Sequence, residues 1–108
     1  MLSINVAKHP FQTFSVTVNG NQRLDFTLKH ISSMGYWLAN LSTNDVSING
    51  IRLVLADNIY SQFINKINCG LQIASRYSVD PSLIDDFSSG RYEFNVLDQN
   101  EAKQALNV

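Results

Sequence analysis

The stretch Phe14-Ser15-Val16-Thr17-Val18-Asn19-Gly20-Asn21, continuing to Leu24-Asp25-Phe26-Thr27-Leu28, decides the fold class of this 108-residue chain. Phe14, Val16 and Val18 alternate with Ser15 and Thr17. Beyond Asn19-Gly20, Leu24, Phe26 and Leu28 alternate with Arg23, Asp25 and Thr27. A period of two sends one set of side chains into a core and the other toward water, and Asn-Gly is a favoured tight-hairpin connection. Two paired strands, 11–18 and 22–31, follow from that reading.

The same pattern spreads outward from the hairpin. Ser32-Ser33-Met34-Gly35 reads as a second turn, and Tyr36 to Leu41 as a third strand with Trp37, Ala39 and Leu41 on one face. Val46 and Ile48 keep the period, Asn49-Gly50 interrupts it, and Ile51 to Leu55 resumes it one position out of phase. A tight hairpin or a bulged strand explains that shift, and the short 46–48 segment favours the bulge. From Asp57 to Ile67 the period changes: Ile59, Phe63 and Ile67 fall four apart, with Asp57 or Asn58 available as N-cap, predicting a short helix over the sheet. Alternation returns in 71–77 and in 91–97, separated by a loop.

Six or seven strands, one covering helix and short connections predict an all-β, mainly antiparallel fold, closed as a small barrel or sandwich. The expected organisation is an N-terminal arm (1–10), one β-rich domain (11–97) and a polar C-terminal tail (98–108), in which Ala102 and Leu106 support a turn of helix. The expected core comprises Phe14, Val16, Leu24, Phe26, Leu28, Trp37, Leu53, Ile73, Phe94 and Val96.

Composition narrows the partners. The formal charge is −1 and charged residues make up 16% of the chain, below the roughly 25% usual for soluble domains. Twelve Asn and twelve Ser supply polarity instead. Such a surface is poorly steered toward nucleic acid or anionic lipid, so neither is expected as a partner. The start of the chain has no basic segment leading into an apolar core of the secretory type, which predicts a cytoplasmic beginning. A single cysteine, Cys69, excludes an internal disulfide and a cysteine-rich zinc site.

Catalytic chemistry finds little support. His9 and His30 lack metal-ligand spacing, no serine sits in a nucleophile-elbow context, and no glycine-rich phosphate cradle occurs. The best acidic group is Asp80, Asp85 and Asp86. Paired carboxylates can bind calcium or divide acid and base roles, but the segment lacks an EF-hand ladder. Asp86 can instead pair with Arg91 or cap the turn before Phe87. Arg52, Arg76 and Arg91 alternate with apolar neighbours in separate strands and are expected to point outward, forming a positive stripe where those strands adjoin. Arg52, Arg76, Asp85, Asp86 and Arg91 are therefore the candidate assembly contacts; no catalytic residue, metal or cofactor is expected. Tyr36, Trp37, Tyr60, Tyr77 and Tyr92 among Asn and Asp leave a small carbohydrate-binding β module as the alternative.

One ordered set of segments adds to this reading. Phe11-Gln12-Thr13-Phe14-Ser15-Val16-Thr17-Val18-Asn19-Gly20 is followed by Phe26-Thr27-Leu28-Lys29, Gly35-Tyr36-Trp37-Leu38-Ala39-Asn40-Leu41, Gly50-Ile51-Arg52-Leu53-Val54-Leu55, and Asp85-Asp86 before Gly90-Arg91-Tyr92. Over about residues 4–97 the chain resembles the baseplate plug proteins of contractile-tailed bacteriophages and cyanophages. The resemblance implies a non-enzymatic structural part of a virion tail baseplate, assembled in the host cytoplasm. It would act as a plug or adaptor near the tail-tube end, with hub, spike or tube proteins as partners and self-association as a further expectation. Asp80-Pro81 matches the family's turn, whereas Ala56 stands where the family often has glycine or proline.

Overall fold

Asn19 and Gly20 both adopt positive φ (54° and 86°) and turn the chain between two strands in the register that the alternation predicts. A computed structural model of the protein describes residues 1–106. Its strands are β1 (Leu2–Ile4), β2 (Phe11–Val18), β3 (Gln22–Ile31), β4 (Tyr36–Thr43), β5 (Val46–Arg52), β6 (Gly70–Ala74) and β7 (Glu93–Leu97). One four-stranded sheet has the order β2-β3-β4-β5 and one three-stranded sheet the order β1-β7-β6, all neighbours antiparallel. The architecture is a sandwich.

Barrel closure, the other expected form, is not seen. The sheets are joined on one side, where Leu53 N–H donates to Trp37 O (2.9 Å) and Ala56 bridges Ile73. On the other side β1 and β2 do not pair. A three-residue β1 offers too short a ladder to close it.

The out-of-phase step at Asn49-Gly50 is a bulge. Leu41 faces Ile48 but Ala39 faces Ile51, so Asn49 and Gly50 together oppose Asn40. Gly50 takes φ 73° and its N–H donates to Asn40 Oδ1 at 2.7 Å, which holds the extra residue in place.

The core follows the expected face. Leu24, Phe26, Leu28, Trp37, Leu53, Ile73, Phe94 and Val96 are buried, while Phe14 and Val16 are half-buried against them because β2 is an edge strand. Phe94 packs edge-on to Phe26 (5.5 Å) and Phe87 (6.1 Å), and Phe87 edge-on to Trp37 (5.5 Å). These rings tie the two sheets together in the favoured T-shaped geometry.

Three expectations change. Leu2–Ile4, placed in a loose arm, pairs with β7, and Val6 is buried. The tail forms helix α2 (Gln99–Leu106) with Ala102 buried; Asp98 and Glu101 exchange capping hydrogen bonds at its start. The Leu106 side chain and residues 107–108 lie outside the described residues. The covering helix is shorter than 57–67, comprising a 3₁₀ turn (Ser61–Phe63) and α1 (Ile64–Ile67). Tyr60, Ile64 and Ile67 are buried, whereas Ile59 and Phe63 are half-buried. The tighter winding of the 3₁₀ turn rotates the stripe away from a pure four-residue spacing.

Candidate functional site

Strand direction sorts the molecule into two chemically distinct ends. At one end β3, β5 and β6 finish and β2, β4 and β7 begin, so turn 32–35 and loop 75–92 lie together. The loop is fastened to the four-stranded sheet: Trp37 Nε1–H donates to Leu83 O (3.1 Å), and His30 Nε2 meets Ser82 O at 2.8 Å. Leu55 N–H also donates to Asp80 Oδ1 (3.0 Å).

Asp86 organises this loop. Its Oδ2 accepts the N–H groups of Ser82 (2.7 Å) and Leu83 (2.8 Å), and its Oδ1 accepts Arg91 Nε–H (3.1 Å). Arg91 Nη2 reaches Asp85 Oδ1 at 2.6 Å. Asp86 thus both caps the turn and pairs with Arg91. The guanidinium pKa is raised chiefly by its hydrogen bond to Asp86, against some desolvation. Tyr92 donates its hydroxyl to Val79 O (2.7 Å), and burial raises its pKa, with Asp86 and Asp80 adding to the effect. These contacts spend the carboxylates on arginine and backbone donors. No cluster of three or more metal-ligating side chains occurs among the described residues.

The expected arginine stripe divides. Arg76 and Arg91 line one recess of about 430 Å³ together with Ser75 and Glu93, and Arg76 lies 5.7 Å from the Tyr77 ring centroid. Arg52 belongs to the other sheet, its guanidinium 5.0 Å from the Tyr36 ring centroid. All five charged candidates nevertheless occupy the loop end, since Arg52 closes β5 and the others lie in or beside loop 75–92.

Sequence reasoning missed the apolar side chains there. Phe11, Met34, Tyr77, Val79 and Leu83 are five of the seven large apolar side chains exposed among the described residues. Their grouping arises only when turn 32–35 and loop 75–92 meet. The opposite end is amide-rich: Asn19, Asn21, Gln22, Asn44, Asn68 and Gln99 border a depression of about 530 Å³. Trp37 and Tyr60 are fully buried and Tyr92 nearly so, which takes three of the five rings away from the carbohydrate reading and leaves Tyr77 exposed and Tyr36 half-buried. The exposed rings and the amides also lie at opposite ends.

Comparison with curated proteins returned no match. A family model described as "Cyanophage baseplate Pam3 plug gp18" matches residues 1–99, from the first strand to the start of α2. The sheets and the loop end fall inside that span, and the chain therefore belongs to this baseplate plug family.

Proposed function

We propose that the chain docks onto a hub, spike or tail-tube neighbour through its loop end. Membership of the plug family makes it a non-enzymatic structural component of a virion tail baseplate. The observation carrying the docking mode is that exposed Phe11, Met34, Val79 and Leu83 share the loop end, where Asp86, Trp37 and His30 hold the loop bearing Val79 and Leu83 in place. A loop ordered before binding loses less conformational entropy on docking. Arg52 and Arg76 flank the apolar residues as the polar rim of the contact, and the Asp85–Asp86–Arg91 network maintains its shape. An apolar centre within a polar rim is the usual anatomy of a protein interface.

Reconstitution with neighbouring tail proteins tests this. Val79→Asp with Leu83→Asp should abolish capture while the thermal midpoint changes little. Asn21→Asp with Asn44→Asp, at the opposite end, should leave capture intact. Undiminished capture of the Val79/Leu83 variant would remove the loop end as the docking surface.

A further inference from the structure

The four sheet edges are not equally protected. β1 has three residues, β5 is bulged at Asn49-Gly50 and ends in Arg52, and the outer side of β6 is engaged by Ala56. Short strands, bulges, charges and covering segments are the usual guards against unwanted strand pairing. β2 has none of them from Thr13 to Thr17. At its start the Gln12 side chain accepts from Ala7 N–H (3.1 Å) and donates to Ala7 O (2.9 Å) and His9 O (3.3 Å), so the preceding segment lies beside Gln12 only. It runs eight residues in uninterrupted register with β3 and contains no charge, proline or glycine. Thr13, Ser15 and Thr17 are exposed, and the inward-facing Phe14 and Val16 are only half-buried.

We propose that β2 is a self-association edge that pairs antiparallel with β2 of a second copy of this chain. His30 N–H donates to Pro10 O (2.8 Å). The alternation of an antiparallel ladder therefore turns the even-numbered backbone groups of β2 toward β3 and those of Phe11, Thr13, Ser15 and Thr17 outward. A two-fold axis at Phe14 pairs all four outward residues: Phe11 with Thr17 of the second copy, and Thr13 with Ser15. No like charges meet along that seam. The two half-buried Phe14 rings come together at the axis, in the closer non-hydrogen-bonded spacing, and cover each other's exposed edges. The four-stranded sheets would join into one eight-stranded sheet. The other edges of the chain are guarded, so the complement of β2 within this sequence is β2 itself, which makes the contact isologous. This inference shares Phe11 with the loop-end surface but rests on the open edge of β2, not on docking there.

Sedimentation equilibrium of the full chain over rising concentration tests it, because capture by tail proteins is not its readout. The wild-type protein should reach dimer mass. Ser15→Lys with Thr13→Lys puts like charges opposite across the seam and should return it to monomer. Ser15→Lys with Thr13→Glu puts opposite charges there and should restore the dimer, and only the proposed register makes that distinction. Both pairs leave a lysine beside Asp25, the cross-strand neighbour of Ser15. Thr13→Pro removes one outward N–H, a change that an edge strand tolerates, and should also give monomer with unchanged circular dichroism. A wild-type protein that stays monomeric at its solubility limit overturns the proposal. So does a dimer that survives both the lysine pair and Thr13→Pro.

Discussion

The side-chain amide of Asn58 occupies the space beside Gly70: a Cβ on Gly70 would lie 2.6 Å from Asn58 Oδ1 and Nδ2. Asn58 is itself buried, and its Oδ1 accepts N–H groups from Tyr60 (3.0 Å) and Leu71 (3.1 Å). One amide thus joins the entry to the 3₁₀ turn to the start of β6, and glycine leaves room for it.

Gly70→Ala should therefore destabilise the protein by about 1–3 kcal/mol through overpacking. Asn58→Ala should also destabilise it, because two buried N–H groups lose their acceptor. The double variant should cost less than the sum, since truncating Asn58 makes room for the added methyl. Chemical denaturation of the four proteins checks this, and strict additivity would disprove the steric relationship.

Asp86→Asn should loosen loop 75–92. The amide keeps an oxygen for the Ser82 and Leu83 N–H groups but loses the charge that draws Arg91, at a cost of about 2 kcal/mol. Faster hydrogen exchange at Ser82, Leu83 and Tyr92, with β3 unaffected, is the expected signature.

Trp37→Ala and Phe94→Ala should each cost about 3–5 kcal/mol. Both rings are buried, and Phe87 touches both, so the combined loss should depart from additivity. Urea denaturation gives the three values. Near-wild-type stability would mean that these rings do not form the core.

Burial pushes the Cys69 thiol up from 9.0 to about 12. The native state holds its proton more tightly than the unfolded chain, so this contribution to stability is fully present below pH 9.0 and is lost as pH rises toward about 12. Burial raises the Tyr60 hydroxyl pKa from 10.0 as well, adding to the alkaline loss. Stability measured across that range should fall, and Cys69→Ala should fall less steeply. Alkylation of Cys69 at neutral pH should proceed only at the rate of opening.

The period-two runs around Asn19-Gly20 made the four-stranded sheet legible, because a half-buried strand records its two faces in alternating residues. Strand limits 11–18 and 22–31 match the structure, and the bulge at Gly50 was readable as a phase slip. β1 was not legible: three residues carry no measurable period, and Leu2–Ile4 becomes a strand only because β7 offers an edge. Helix α2 was legible only as the single turn that Ala102 and Leu106 suggest; its eight-residue length was obscured by polar composition, since its placement depends on packing Ala102.

The candidate site divides in the same way. Asp86, Arg91 and the turn were identifiable as a local set because Asp86 lies four residues from Ser82 and five from Arg91, close enough for a turn and an ion pair to form without tertiary help. Local alternation, turn chemistry and the ordered segments of the plug family were determined by the sequence itself. Only the tertiary structure decided that the sandwich stays open beside β2 and that Met34, Val79 and Leu83 share one end. It also decided that Arg52 stands apart from Arg76. These relations join residues far apart in the chain, where pairing and packing, not local preference, set the distance.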